Sequence, residues 1–194
     1  MRLCFVTDSS EHLVEVVRLA VRGGVTMVQL REKTADTRTF LARAIALREC
    51  LRGTGVPLII NDRVDIALAA HADGVHLGQT DMPVTIARQL LGPDKIIGLS
   101  VESLAQVEEA NTLDVDYIGI SPVFATPTKT DTHTPFGLEG TRQAVALSKH
   151  PTIGIGGINV ANIAAVRATG LDGVAVVSAI MSAPDPEQAA KQLI

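Results

Sequence analysis

The sequence predicts a (β/α)8 barrel, the TIM-barrel architecture, formed by residues 1–194 as a single domain. Eight short apolar runs recur along the chain, and amphipathic segments of helical periodicity separate them. The runs are continuous rather than alternating, which is typical of parallel strands buried on both faces. An open, doubly wound sheet is the alternative. The even number of strands and the lack of a long central insertion favour the closed barrel.

The predicted strands are rich in Val, Ile and Leu, and turn residues bound most of them. In chain order they cover Leu3–Thr7, Met27–Leu30, Leu58–Ile60, Gly74–Leu77, Ile96–Ser100, Tyr117–Ser121, Thr152–Ile155 and Gly173–Val177. A predicted helix follows every strand. The helices cover Glu11–Arg22, Thr37–Arg52, Val64–Ala70, Val84–Leu91, Ser103–Asn111, Leu138–Lys149, Val160–Thr169 and Pro186–Leu193.

Start and stop signals support several of these helix boundaries. Ser103 is a good cap for the fifth helix, and Asp185 precedes Pro186 at the start of the last one. Glycine follows the first, second, fourth and seventh helices, at Gly23–Gly24, Gly53, Gly92 and Gly170.

The composition argues against several classes of partner. A net charge of −4 gives no reason to expect nucleic acid or an anionic membrane surface, and 3% aromatic residues argue against base stacking. Cys4 and Cys50 lack metal-ligand spacing and are expected to be buried free thiols. With no signal peptide and no apolar run long enough to span a bilayer, the sequence predicts a cytoplasmic protein, either monomeric or a homo-oligomer.

The stretch from Leu58 to Asp81 places two carboxylates at neighbouring strand ends. Asp62 follows the third predicted strand and Asp81 follows the fourth. Because parallel neighbours bring their carboxyl ends side by side, both carboxylates should face one small volume, which would suit a hard cation such as Mg²⁺. The alternative is that each carboxylate caps the helix that follows it. This unit alone leaves the two interpretations balanced, since a strand-end Asp indicates function mainly in a barrel.

A cationic cluster follows the second predicted strand. Alternation puts Gln29, Arg31 and Lys33 on one side of the chain, where they would suit an anionic ligand such as a phosphate. The simpler interpretation is a solvated strand end in which Glu32 forms an ion pair. Ser100, at the end of the fifth strand, offers a hydroxyl group to the same rim.

The longest predicted loop, residues 122–137, contains Thr126, Thr128 and Lys129, whose hydroxyl and ammonium groups could hold a phosphate. A long loop in a compact domain is usually functional or disordered. We expect this loop to be mobile without ligand and to close over a bound diphosphate, where it would exclude water. The alternative is an ordinary polar loop that is already ordered.

A second anion site is predicted after the last two strands. Gly156–Gly157 follow the seventh strand, and Val177 and Ser178 end the eighth. Loops at these two positions often bind phosphate in this fold, and glycine lets backbone N–H groups approach an anion closely. The alternative is that the glycines serve only to turn the chain.

The sequence offers no obvious nucleophile. The histidines are weak candidates, and His76, inside the fourth strand, fits a packed and hydrogen-bonded residue better than a catalyst. The rim therefore predicts a diphosphate-like site near strands two to four and a monophosphate-like site near strands seven and eight. Loss of diphosphate followed by capture of the remaining fragment is a reaction that needs no protein nucleophile.

Five motifs resemble those of the thiamine-phosphate synthases, also called thiamine-phosphate pyrophosphorylases. They are VQLREK (Val28–Lys33), NDRVDIALAAHADGVHLGQTD (Asn61–Asp81), SPVFATPTK (Ser121–Lys129), IGGI (Ile155–Ile158) and VVSAI (Val176–Ile180). In this order and at these spacings the motifs are specific, and the resemblance covers nearly the whole chain.

The resemblance implies an enzyme that joins 4-amino-2-methyl-5-hydroxymethylpyrimidine diphosphate to hydroxyethylthiazole phosphate by a dissociative, Mg²⁺-assisted substitution. By resemblance, the pyrimidine diphosphate would contact Gln29, Arg31, Lys33, Asn61, Ser100 and Lys129. The catalytic groups among these would be Arg31, Lys33, Ser100 and Lys129. Mg²⁺ would be held by Asp62 and Asp81. The thiazole phosphate would contact Thr126, Thr128, Gly157, Val177 and Ser178.

Three other functions are compatible with the same fold. A thiazole tautomerase related to the family need not keep the diphosphate and metal residues, whereas Asp62, Asp81 and Lys129 are all present here. A phosphosugar isomerase or epimerase would want a catalytic carboxylate or histidine pair at the barrel centre. A phosphate-binding regulatory barrel without catalysis would have no use for a metal-binding pair.

Overall fold

The computed structural model describes residues 2–126 and 134–194, and these residues form a closed barrel of eight parallel strands. Each strand pairs with the next in sequence, and the last pairs with the first. The strands are β1 (Leu3–Val6), β2 (Met27–Leu30), β3 (Leu58–Asn61), β4 (Gly74–Leu77), β5 (Ile96–Val101), β6 (Tyr117–Ile120), β7 (Thr152–Ile155) and β8 (Gly173–Val176). The predicted barrel is confirmed.

Two strands run one residue further than the sequence predicts, because backbone pairing continues past the apolar run. Asn61 still pairs with His76, and Val101 still pairs with Ile120. Ser100 therefore lies inside β5 and not at its end, while β1, β6 and β8 each stop one residue earlier than predicted.

Helices follow the strands around the outside of the barrel. Within the described residues they are α1 (Leu13–Arg22), α2 (Thr37–Leu51), α3 (Val64–Ala69), α4 (Val84–Leu91), α5 (Leu104–Ala110), α6 (Gly137–Leu147), α7 (Ile163–Arg167), α8 (Ser178–Met181) and α9 (Pro186–Gln192). The sequence does not predict α8, since four residues make about one turn and carry no periodicity. In the part of the chain that is described, no helix is both long and apolar enough to cross a membrane.

Side-chain caps fix three helix starts. The side chains of Asp36, Ser103 and Asp185 accept hydrogen bonds from backbone N–H groups in the first turns of α2, α5 and α9, at 2.8, 3.2 and 3.0 Å. The predicted caps at Ser103 and Asp185 are thus confirmed. By contrast, α7 starts three residues later than predicted, because the side chains of Asn159 and Asn162 accept backbone bonds that hold residues 159–162 in a turn.

The core has two layers, as expected for strands buried on both faces. The larger layer fills the space between the barrel and its helices. The smaller layer fills the barrel interior and consists of Cys4, Val6, Met27, Ile59, Tyr117, Ile153 and Ala175. Several of these interior residues also form the floor of the cavity described below, so packing inside the barrel supports the site directly.

Both cysteines are free, as predicted, but only Cys4 is buried, whereas Cys50 is partly exposed, so the two should differ in reactivity. Burial raises the pKa of the Cys4 thiol to about 12, and partial burial also raises the pKa of Cys50. Since the thiolate is the reactive form, we expect a thiol reagent to titrate at most Cys50 in the folded protein and both cysteines after unfolding. A Cys50→Ala variant should show no titratable thiol until it unfolds. Equal rates for both thiols in the folded protein would contradict the burial of Cys4.

Candidate active site

A cavity of about 570 Å³ opens at the carboxyl ends of the barrel strands. Its floor is the interior layer of the core, and its walls are the loops that follow the strands. It is lined by every predicted site residue that falls in the described part of the chain, namely Gln29, Arg31, Lys33, Asn61, Asp62, Asp81, Ser100, Thr126, Gly157, Val177 and Ser178. The structure therefore brings these residues to one place, while their roles stay predictions.

The end of β2 is tied to its neighbours by side-chain bonds. The Gln29 amide donates to Asn61 Oδ1 at 2.7 Å, so the two amides from β2 and β3 form one buried polar unit. Two residues after Gln29, the backbone N–H of Arg31 donates to Thr7 Oγ1 at 3.1 Å. These bonds fix the start of the segment from which Arg31 and Lys33 reach the cavity.

The two carboxylates do not cap helices. The N-cap residues of α3 and α4 are Arg63 and Pro83, and neither helix has a side-chain cap. Asp62 instead has a positive φ of 65°, a conformation rare for residues with a Cβ and tolerated best by Asn and Asp. Its carboxylate lies 3.1 Å from Lys33 Nζ. Asp81 Oδ2 accepts the backbone N–H of Gly78 at 2.7 Å.

Asp62 and Asp81 also face each other. Burial raises the pKa of Asp81, and both a hydrogen bond with Asp62 and the charge of Asp62 raise that pKa further. The Gly78 N–H and the Lys33 ammonium oppose this shift. Two like charges in one small volume repel each other, and a cation between them would remove that repulsion.

This donor set fits a magnesium ion. Mg²⁺ commonly takes one or two carboxylates from the protein and completes its coordination with water and substrate phosphate oxygens. Among the described residues, no group of three or more His, Cys, Asp or Glu side chains could enclose a metal. A site made of Asp62 and Asp81 would therefore need oxygens from water or substrate, and the cationic side chains nearby would accommodate such an anion.

His76 is buried and hydrogen-bonded, as the sequence predicts. Its Nε2 lies 2.8 Å from Ser100 Oγ, and its Nδ1 lies 2.9 Å from the hydroxyl oxygen of Tyr117. The three side chains form a polar chain from the cavity into the barrel interior. A signal was present in two strand glycines: a Cβ at Gly98 would lie 2.5 Å from His76 Nδ1, and one at Gly119 would lie 3.1 Å from His76 Cε1.

Tyr117→Phe should test this polar chain. The change removes one buried hydroxyl and the hydrogen bond to His76, so we expect the free energy of unfolding to fall by about 1–2 kcal/mol. Because His76 would lose this contact while it holds Ser100, turnover should also fall, but only a few-fold. Denaturant unfolding and steady-state kinetics on the same preparation would check both effects. A Tyr117→Phe protein as stable as the wild type would argue against a formed Tyr117–His76 bond.

Glycine is required at the turn after β7. Gly156 and Gly157 have φ values of 109° and 66°, which residues with a Cβ adopt only rarely. An added Cβ at Gly156 would lie 2.7 Å from Pro122 Cβ, and one at Gly157 would lie 2.8 Å from Phe124 Cβ. The turn geometry and the close packing therefore explain why both residues are glycine. Because both also line the cavity, these needs coexist with a role in binding.

The opposite wall comes from the chain after β8. Val177 is the N-cap residue of α8, and Ser178 is its first residue. A short extra helix after the eighth strand often contributes to phosphate binding in this fold. Thr126 also lines the cavity, from the chain that follows β6.

Two predicted site residues, Thr128 and Lys129, lie outside the described residues, and so do residues 127–133 of the loop expected to act as a lid. The described ends of that loop are tied together. The backbone N–H of Phe136 donates to the Pro122 carbonyl oxygen, and that of Gly137 donates to the Val123 carbonyl oxygen, each at 3.0 Å. The closure of residues 122–137 over a ligand stays a prediction.

A family model described as thiamine monophosphate synthase matches residues 3–180 of the chain. The chain belongs to the thiamine monophosphate synthase family. Curated relatives support this: a thiamine-phosphate synthase of Vibrio parahaemolyticus is 57% identical and one of Vibrio campbellii is 55% identical. Each alignment covers 100% of this chain and 96% of the relative. The family resemblance predicted from the motifs is confirmed.

Two solved structures are also similar to this chain. The thiamine phosphate pyrophosphorylase from Pyrococcus furiosus is 42% identical, with a TM-score of 0.90, over 99% of this chain and 93% of that one. A 3-hexulose-6-phosphate synthase aligns over 100% of this chain and 98% of that one, with a TM-score of 0.73, but at 20% identity. The second likeness shows a shared barrel fold and nothing about function.

Proposed function

We propose that this protein is a thiamine-phosphate synthase, a transferase that joins the pyrimidine diphosphate and the thiazole phosphate named above in thiamine biosynthesis. The observation that carries the proposal is the arrangement of charge in the cavity. Two facing carboxylates lie beside the cationic end of β2, and a glycine turn and a short helix lie across from them. One small-molecule diphosphate and one phosphate would use both sides. Family membership supports the same activity.

The diphosphate would bind near Asp62 and Asp81. Mg²⁺ held by these two carboxylates would offset charge on the leaving diphosphate. Arg31 and Lys33 would stabilise the same charge from the end of β2, and their contribution should grow as the carbon–oxygen bond breaks. Lys129 would add a third cation. Because this charge develops mainly in the transition state, the cations would accelerate the reaction as well as bind the substrate.

The pyrimidine would bind deeper in the barrel. The linked amides of Gln29 and Asn61 and the hydroxyl of Ser100 would orient the ring through hydrogen bonds. In the dissociative route, departure of diphosphate leaves a pyrimidine methylene cation, which the exocyclic amino group stabilises. The thiazole nitrogen then attacks that carbon. The protein's main tasks are therefore orientation of the two reactants and exclusion of water.

The thiazole phosphate would bind across the cavity. Gly157, Val177 and Ser178 would supply backbone and hydroxyl donors, and Thr126 and Thr128 would add hydroxyl groups. This placement would bring the thiazole nitrogen within reach of the pyrimidine methylene carbon.

Incubation of the purified protein with both substrates and Mg²⁺ would test the proposal. We expect thiamine phosphate and diphosphate to form in equal amounts, and neither to form when one substrate or Mg²⁺ is left out. Isomerisation of a thiazole substrate with no diphosphate release would indicate the tautomerase activity instead. Binding of both ligands without turnover would favour a regulatory role and overturn the proposed enzyme.

A further inference from the structure

Glu32 is a buried carboxylate beside the cationic end of β2, and no step of the proposed reaction uses it. Its side chain is 0% exposed, although its sequence neighbours Arg31 and Lys33 line the cavity. Glu32 does not line the cavity, as expected when alternation turns it to the opposite side of the chain. The carboxylate therefore lies in the layer between the barrel and its helices.

Each Glu32 oxygen contacts a different part of the fold. Oε1 accepts a hydrogen bond from Arg43 Nη1 of α2 at 2.6 Å. Oε2 accepts one from Ser9 Oγ, in the turn between β1 and α1, at 2.8 Å. The segment after β2 lacks strand pairing of its own, so these two bonds help to hold it in place, together with the bond from Arg31 N–H to Thr7 and the contact between Lys33 and Asp62.

Stability alone is a weak reason for such a group. Burying an ion pair costs desolvation, and apolar residues of similar volume often stabilise a fold as well or better. What a buried and fully bonded carboxylate adds is a fixed geometry, because rotation of the segment would break both bonds at once. Here the fixed segment is the one that carries Arg31 and Lys33.

We propose that Glu32, clamped between Arg43 and Ser9, is a positioning residue that aims Arg31 and Lys33 at the diphosphate. The inference rests on the proposed function, since it concerns how the same site binds one of its two substrates. It assigns Glu32 no contact with substrate. It also gives Arg43, which lies outside the cavity, an effect on diphosphate binding that passes through Glu32.

Arg43→Met is the decisive variant, because it keeps the aliphatic stem and removes only the charged partner of Glu32. Displacement of a binding group by about 1 Å can cost on the order of 100-fold, so we expect the KM for the pyrimidine diphosphate to rise about tenfold or more. The KM for the thiazole phosphate should change less than about twofold, since that site lies across the cavity. Arg43→Lys, which restores a cation, should recover much of the loss.

Arg88→Met provides the matched control. Arg88 is also a partly buried helix arginine, 2.8 Å from its partner Asp116, and it does not line the cavity. The Arg88→Met variant should have a lower free energy of unfolding, but its KM for each substrate should be unchanged. Isothermal titration of each variant with inorganic diphosphate and Mg²⁺, together with unfolding curves, would separate positioning from general destabilisation.

The outcomes are distinct. If the wild type neither binds diphosphate with Mg²⁺ nor makes thiamine phosphate, the proposed function fails and this inference falls with it. If the wild type does both but Arg43→Met changes both KM values equally, or behaves as Arg88→Met does, only the role of Glu32 is overturned. Ser9→Ala removes a single hydroxyl and serves if Arg43→Met does not fold. Unchanged diphosphate affinity in Ser9→Ala would then overturn the clamp.

Discussion

Asp62→Asn and Asp81→Asn should each lower turnover on the order of 100-fold or more at a fixed, low Mg²⁺ concentration. Each change removes one of the two charges that would hold the metal against the diphosphate. Asparagine is the better replacement at position 62, because it tolerates the positive φ of 65° found there, whereas alanine would add backbone strain. Loss of activity can then be assigned to the carboxylate and not to the backbone.

The free energy of unfolding should change little in these two variants. Burial raises the pKa of Asp81 and the charge of Asp62 raises it further, so the two carboxylates repel each other and removal of one charge relieves an unfavourable contact. Asp65→Asn is a suitable control, because Asp65 is an exposed carboxylate on α3 that pairs with Arg63 outside the cavity. The measurement is thiamine phosphate formation across a Mg²⁺ titration, with circular dichroism on each variant. Near wild-type turnover at low Mg²⁺ would remove the altered carboxylate from the metal site.

The barrel could be predicted because its strands leave a clear trace in the sequence. A strand covered on both faces has no polar side, so each appears as a short continuous run between turn residues. The exact ends of the strands and helices depend on individual hydrogen bonds, which the apolar pattern does not show. Backbone pairing carries β3 to Asn61 and β5 to Val101, and side-chain bonds delay α7. The single turn of α8 is set by its place after β8, which no local pattern reports.

The rim could be predicted in part, for a topological reason. Parallel neighbours bring their carboxyl ends together, and this alone brings Asp62 to Asp81 and Lys33. Contacts through the barrel interior depend on register between distant strands. His76 and Tyr117 are 41 positions apart, and they meet because β4 and β6 flank β5, where Gly98 leaves room between them. The bond from Arg43 to Glu32 likewise depends on how α2 packs beside the segment that follows β2.

Lys33→Ala and Ser178→Ala should separate the two anion sites. Lys33 lies 3.1 Å from the Asp62 carboxylate, on the side proposed for diphosphate. A hydrogen bond to a charged group contributes about 1.5–3 kcal/mol, so Lys33→Ala should weaken the binding of the pyrimidine diphosphate about 10- to 100-fold. Ser178→Ala should weaken the binding of the thiazole phosphate only about 2- to 10-fold, because backbone N–H groups would also donate to that phosphate.

The control for Lys33 is Lys191→Ala. Lys191 is exposed to a similar degree, with 52% of its side chain accessible against 54% for Lys33, and it pairs with Glu187 at 2.7 Å outside the cavity. Removing it takes the same charge from the surface without touching either pocket, so neither affinity should change. Titration of every variant with each ligand gives the comparison. Equal losses for both ligands in both site variants would mean one shared anion site and would contradict two pockets. A loss confined to the pyrimidine diphosphate in Lys33→Ala would instead indicate that Lys33 binds the diphosphate substrate and contributes nothing to the thiazole phosphate site.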